Sequence, residues 1–302
     1  MAIKENEISQ ENKYQARAIY NSPENFFDWS WPKVPRHQFL NERNYAYDPA
    51  GITRLIELDI SQALETAYPA TTPAILARYI KIQASEKISH SFIASGEIFY
   101  VLEGNGESRN RNDTVLWGKG DVFCFPGGNE TIHSAELTSI LFSVTNEPLL
   151  SFDRLQAPAP KNSHTKTAHW PHDEIEKHLQ QVYIRPKTAE TSGVAIQLST
   201  SATAPSRNTV PMINTAINTL ESGDDQRPHR HNGAAITLAI EGEGIYSLIE
   251  GEKVSWVTGA AQITPAAELH SHHNRGNRRM RSFVIQDEGL HFYLRTPGFS
   301  WD

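Results

Sequence analysis

Cysteine is almost missing. A single thiol, Cys124, can close no intramolecular disulfide and cannot build a cysteine cage for zinc, which points to a reducing compartment. No apolar run approaches the ~20 residues that cross a bilayer. The opening stretch MAIKENEISQEN lacks the apolar centre of a secretory signal, so a cytoplasmic protein without membrane contact is expected. Blocks of Lys and Arg are also missing: 28 basic against 35 acidic residues leave a net charge of −7, a poor match to nucleic acid or an anionic membrane. Neither glycine (18) nor proline (17) is in excess over 302 residues, which excludes collagen-like and low-complexity chains. With 38% hydrophobic and 21% charged residues, the chain can bury a core, and its length suits two domains.

The organisation follows from patterning. Residues 1–60 read as an N-terminal arm: a short helix over Ser9–Tyr20, then Phe26, Phe27, Trp29 and Trp31 among prolines. Such a segment packs as a strap over a core or a neighbouring subunit, which makes a homo-oligomer the expectation. Within 61–155, short segments rich in Ile, Val, Phe and Tyr (Ile75–Gln83, Glu97–Leu102, Asp121–Phe125, Ser139–Thr145) alternate with Gly/Asn/Asp turns, the pattern of an all-β sandwich or barrel. Residues 156–190 form a linker whose helix starts at Pro171 and carries Ile175, Leu179 and Val182 on one stripe to Tyr183. His164, His169, His172 and His178 are scattered there and read as solvated or structural. Short β segments resume across 191–302.

The second β half repeats the first. Tyr100–Gly106 matches Leu238–Gly244 at a separation of 138 residues, and Gly120–Pro126 matches Gly259–Pro265 at 139, which argues for a duplicated β domain. Gly242 and Gly259 are expected at turns that a β-branched residue resists.

Thirteen histidines are many, and some cluster. In a strand, residues i and i+2 share a face, so His229 and His231 project together. His270 follows Pro265 in the other motif of the same half. If the two motif strands are neighbours in a small barrel, three imidazoles converge in its mouth and leave coordination positions open, as a catalytic metal needs. The plainer alternative is hydrogen-bonded or exposed histidines on two strands.

His229-Arg230-His231 followed by Glu241–Gly244, then Gly259, Pro265 and His270, is similar to the two cupin motifs. The chain resembles a bicupin: all-β, two tandem jelly-roll barrels (double-stranded β-helices) with an N-terminal arm and a short linker helix. Within that superfamily it resembles the ring-cleaving gentisate 1,2-dioxygenase-like proteins, through the run His229–Gly242, the run Pro265–Asn274 and Tyr68–Pro73 ahead of the first barrel. By this resemblance His229, His231 and His270 are ligands of Fe(II), with Mn, Ni, Zn or Co as alternatives in the same site. His272, Asn218 and Thr237 then fall on the substrate side, with His272 touching substrate or bound O₂.

Some positions depart from the resemblance. The carboxylate of general cupin patterns is replaced by Ala235 or Ile236, which leaves three histidines, as in gentisate-type enzymes. The arginine those enzymes carry six residues after the second histidine is Thr237 here, and the glutamine eleven before the first is Asn218. Ala267 and Leu269 replace an aromatic pair. The relatives are longer and hold iron in their first barrel. Here Ser91, Ile93 and Thr131 fall at the ligand offsets of that barrel, and His133 falls opposite His272. A one-residue shift brings His90 and Glu97 to a cupin-like spacing, and with His133 they are a second candidate metal site beside the reading of a scaffold barrel.

The reaction implied is Fe(II)-dependent cleavage of an electron-rich hydroxylated aromatic with O₂. The alternatives are a redox-neutral metal cupin (isomerase, lyase or hydrolase) and a non-catalytic cupin that binds a small molecule. Loss of the cation at Thr237 makes gentisate itself a poor substrate. Of the nearby cations, Arg230 alternates away from the ligand face, and the run from Arg275 through Arg278, Arg279 and Arg281 reads as solvated surface.

Overall fold

A computed structural model describes residues 10–25, 31–186 and 194–302. Two compact units emerge, residues 1–32 and residues 33–302. The first holds the helix Gln10–Gln15, inside the expected Ser9–Tyr20, and a 3₁₀ turn Pro23–Asn25. Phe26, Phe27 and Trp29 of the aromatic strap lie outside the described residues.

The second unit contains two β barrels, each made of two sheets whose strand pairs are antiparallel. In the first barrel, the larger sheet runs Arg54–Glu57, Leu76–Ile82, Ser139–Thr145, Gly96–Glu103, Val122–Pro126, Ala168–Trp170. The smaller runs Lys87–Ser91, Glu130–Ala135, Asn105–Asn110, Asp113–Gly118. In the second barrel, one sheet runs Val194–Leu198, Asn214–Leu220, Met280–Gln286, Ala235–Glu241, Ala261–Thr264. Its partner runs Glu252–Ser255, Ile245–Ile249, His270–Asn274, His229–His231, Phe299–Trp301. The duplication extends to irregularities: the central strands shift register at Val101/Glu103 and at Ala239/Glu241.

Period-2 alternation explains why these strands lack a polar face. In Gly96–Glu103, Ile98, Tyr100 and Leu102 point into the main core, which they share with Ile217, Ile236, Leu238, Phe283 and Ile285 of the second barrel. Phe99 and Val101 point the other way, into the first barrel, with Trp117, Phe123, Phe125 and Leu141. The largest core is therefore the seam where the six-stranded sheet of the first barrel faces the sheet of the second that contains Ala235–Glu241.

The barrel interiors differ. Ten buried apolar residues fill the first, whereas the corresponding cluster of the second is Ala239, Ile245, Trp256 and Met280. Strand register equates Phe99 with Thr237, Phe123 with Gln262 and Ile80 with Asn218. Exchanging aromatic and aliphatic bulk for small polar side chains leaves the second barrel hollow.

Residues 33–60 do more than strap. Phe39 N–H donates to the Ala261 carbonyl and Ile263 N–H to the His37 carbonyl, which stitches this segment to the second barrel, while Arg54–Glu57 is a strand of the first. The linker helix spans His172–Tyr183, with Pro171 as its extended N-cap and Ile175 and Leu179 buried.

The glycine expectation divides. Gly259 has φ +81°, its carbonyl accepts the Tyr79 hydroxyl at 2.7 Å, and a Cβ there would stand 2.6 Å from the Tyr47 hydroxyl. Gly242 lies outside the left-handed region, and a Cβ would press closely only on the Ile245 side chain, at 3.0 Å; the left-handed residue of that turn is Gly244, φ +77°. Gly259→Ala should therefore cost about 2 kcal/mol in chemical denaturation, and Gly242→Ala under about 1 kcal/mol. Equal effects at the two positions would refute the account.

Candidate metal centre

The centre is built by one strand pairing. His229 lies directly across from His270, and His231 shares the face of His229. The ring centroids of His229 and His270 are 4.2 Å apart, those of His231 and His270 4.6 Å. One candidate ligand atom from each of the three lies within 4.8 Å of the others. Among the described residues, this is the one group of three or more His, Cys, Asp or Glu side chains that converges so closely.

The free nitrogens follow from the hydrogen bonds. Nδ1 of His229 lies 3.1 Å from the Arg227 carbonyl, Nδ1 of His231 2.7 Å from the Gly233 carbonyl, and Nδ1 of His270 2.9 Å from the Glu268 carbonyl. A carbonyl only accepts, so each Nδ1 carries the proton and each Nε2 keeps its lone pair. Burial holds all three imidazoles neutral, with His231 lowered to about 4 and His270 lower still. Three neutral imidazoles whose outer nitrogens are anchored fit a first-row divalent metal, and Ala235 supplies no carboxylate.

His272, two residues on, has the opposite tautomer. Ser247 Oγ accepts from Trp256 Nε1 at 2.8 Å and Gln262 Nε2 at 3.0 Å, so its own hydroxyl proton goes to His272 Nδ1 at 2.9 Å. The His272 proton then sits on Nε2. This histidine offers a donor where its neighbours offer lone pairs. Ser247→Ala should strand three buried polar groups and cost about 2 kcal/mol, while metal content stays unchanged because the ligands are pinned independently. Loss of metal with full stability would contradict it.

A cavity of about 520 Å³ is lined by His229, His231, His272, Asn218, Phe299 and Glu288, among others. Asn218 thus stands on the cavity wall. Thr237 pairs with Val284, a lining residue, but is itself buried and outside the lining. Arg230 pairs with Glu250 at 2.7 Å, away from the ligand face as expected. The run after Arg275 is not all solvated surface: Arg281 is buried and pairs with Glu176 of the linker helix, as does Arg279, at 2.9 Å.

The first barrel does not assemble the second candidate site. His90 faces Thr131 as His229 faces His270, so the shifted alignment holds, and Phe92 and Thr131 occupy the other two ligand positions. His90 Nε2 and His133 Nε2 share a proton across 3.0 Å, Phe92 stacks on His90, and Glu97 accepts from Thr131 Oγ1 at 2.8 Å. Burial pushes Glu97 up to about 8 and His90 down to about 3. The two Nε2 atoms that would face a metal are taken up by each other, and Phe92 and Thr131 supply no replacement ligand.

Sequence reasoning passed over Phe299, which stacks on His229 from a strand of three residues, and Arg227 and Glu288 on the cavity wall. It also passed over Ser247 and Trp256. These repeat Ser108 and Trp117 at the same 139-residue separation as His272 and His133, so extending the repeat would have found them.

A family model described as Cupin domain matches residues 216–286. Gentisate 1,2-dioxygenase of a Ralstonia species is 32% identical over 68 residues, which cover 22% of this chain and 19% of the relative. The enzyme of that name from a Streptomyces species is 33% identical over 64 residues, 21% of this chain and 18% of the relative. The aligned part spans about a fifth of these curated relatives. Salicylate 1,2-dioxygenase of Pseudaminobacter salicylatoxidans superposes with a TM-score of 0.76 at 14% identity, over 100% of this chain and 99% of that one. A mutant of that enzyme in complex with gentisate gives 0.76 at 13%, over 100% of this chain and 97% of that one. The chain has the bicupin fold, with its cupin domain in the barrel that carries the three histidines.

Proposed function

We propose that this bicupin binds one Fe(II) through His229, His231 and His270 and uses O₂ to cleave an electron-rich hydroxylated aromatic ring. The observation that carries the reading is the three-histidine cluster with anchored Nδ1 atoms, two of whose members, His229 and His231, line a cavity of about 520 Å³. The local likeness to gentisate dioxygenases and the superposition on a salicylate dioxygenase support it. When bound, a ferrous ion supplies the electron path between an electron-rich ring and dioxygen.

The chain's own residues do the rest. His272 donates from Nε2 to an oxygen of the substrate or of O₂. Asn218 contacts the ring substituents from the opposite sheet. Phe299 and Met280 exclude water and hold the ring in place. Thr237, at the position where gentisate-type relatives carry an arginine, supplies no cation, so gentisate is a poor substrate. We place the protein in the cytoplasm as a homo-oligomer; no helix among the described residues is long and apolar enough to cross a membrane.

Metal analysis of freshly reduced protein, with O₂ uptake recorded against hydroquinones, catechols, salicylate and gentisate, tests the reading. Ferrous iron near one per chain and substrate-dependent O₂ uptake are expected. Turnover without O₂ on a redox-silent metal would transfer the site to Lewis-acid chemistry by an isomerase, lyase or hydrolase. A ligand bound and never converted would make this a binding protein.

A further inference from the structure

We infer that Glu288 selects the substrate: it receives the N–H or O–H of an uncarboxylated ring bearing a hydroxyl or amino substituent, and it rejects a ring carboxylate. The inference deepens the proposed reading of the metal site and rests on it.

Glu288 opens the helix Glu288–Tyr293, just after the strand Met280–Gln286, and lines the same cavity as His229, His231 and His272. It is 7% exposed, the most buried acid on that wall. Asn214 Nδ2 fixes its carboxyl, donating to Glu288 Oε2 at 3.2 Å and to Gln286 Oε1 at 3.4 Å. Its Cγ packs against Gly233, so closely that a Cβ on the glycine would lie 2.9 Å away, and the Gly233 carbonyl anchors His231. The carboxyl is thereby held in register with the metal-binding loop.

The charge around it opposes an anion. Glu221, Asp224 and Asp225 also line the cavity, although Arg275 pairs with Asp225 at 2.6 Å and offsets its charge. The one cation there is the exposed Arg227, whose guanidinium lies over the Trp301 ring at 4.9 Å and donates to the Asp302 main-chain oxygen at 3.1 Å. A substrate carboxylate entering this wall meets like charge, or forces Glu288 to take up a proton. A hydroxyl or amino group meets an acceptor already oriented by Asn214. Burial raises Glu288 to about 7, so a bound donor draws it toward its charged form and a bound carboxylate toward its protonated form.

The test measures binding apart from turnover. Anaerobic equilibrium dialysis of 2-aminophenol, hydroquinone and gentisate is run on the metal-loaded protein, with metal content and melting recorded on the same samples. The wild type should bind 2-aminophenol and hydroquinone at least tenfold more tightly than gentisate, and Glu288→Gln should bring that ratio near one. An unchanged ratio in the variant, or a wild-type preference for gentisate, overturns the inference. If Glu288→Gln fails to fold, Glu288→Asp, which withdraws the carboxylate by one methylene, takes its place; the preference must then shrink, and an unchanged one overturns the inference. Failure of the metal site itself reads out separately, as wild-type protein that holds no stoichiometric metal.

Discussion

Alanine at His229, His231 or His270 should reduce bound metal to under a tenth of the wild-type content and abolish O₂ uptake. Losing a mere outer partner of a metal-bound histidine costs about 10–100-fold in affinity, so losing one of three ligands costs more. No carboxylate stands at the fourth cupin position to replace a lost nitrogen, since Ala235 occupies the place where the first barrel has Glu97. Alanine at His90 or His133 should leave metal content unchanged, because those nitrogens bond each other. Elemental analysis after anaerobic loading decides it, and equal loss from both sets would refute the assignment. Burial has a second consequence for the metal-free protein. The three imidazoles have folded pKa values below their ordinary 6.5, so they take nothing from stability above pH 6.5 and reduce it as pH falls toward the folded values. Metal binding should move that acid loss to lower pH.

How far the sequence carries can be judged residue by residue. Period-2 alternation and the repeat near 139 residues lead to two barrels, because a strand buried on one or both faces leaves its pattern in side-chain chemistry. The H-x-H spacing and His270 lead to the metal cluster, because strand geometry alone puts i and i+2 together. The offset of the first barrel is harder to read. Its turn from His90 to Glu97 is one residue longer than that from His229 to Ala235, so a fixed offset of 138 lands on Ser91, and only the backbone pairing of His90 with Thr131 corrects it. Segment 37–39 binds the second barrel through main-chain hydrogen bonds, which have no side-chain signature. The strand Phe299–Trp301 is too short for any periodicity to show.

The hollow second barrel was also legible in principle. Aligning the repeats sets Phe99 beside Thr237 and Phe123 beside Gln262, a loss of aromatic bulk that speaks of a cavity. The resemblance draws attention instead to the substrate cation that Thr237 lacks. The structure gives it a different role as well: it is one of the small side chains that keep the barrel from filling as its twin does.

Glu176→Ala should be the most destabilising change outside the barrels' interiors, at about 3 kcal/mol. Glu176 sits on the linker helix with its side chain 26% exposed, and it holds two guanidinium groups, those of Arg281, 4% exposed, and Arg279, 25% exposed. Arg281 belongs to the strand Met280–Gln286, so this carboxylate ties the helix to the sheet of the metal-bearing barrel, beside the Tyr183 hydroxyl, which bonds Thr219 at 2.6 Å. Removing it leaves a buried cation without its ion-pair partner at Glu176, and that penalty exceeds the value of the pair itself. Partial exposure of the carboxylate puts the cost near the low end of what a broken buried pair incurs. A second substitution tests the cause: Arg281→Met added to Glu176→Ala should recover most of the loss, because it removes the stranded charge. The pH dependence has a definite sign. Burial raises the Glu176 pKa, but Arg281 and Arg279 outweigh it and hold the carboxyl below its ordinary 4.5. Its contribution is therefore present above pH 4.5 and disappears as pH falls through the depressed folded value. Urea denaturation of the wild type and Glu176→Gln should differ at pH 7 and converge in acid. Curves that remain apart below that range, or a double variant weaker than Glu176→Ala alone, would show that the helix is held by its apolar stripe of Ile175 and Leu179 and not by this carboxylate.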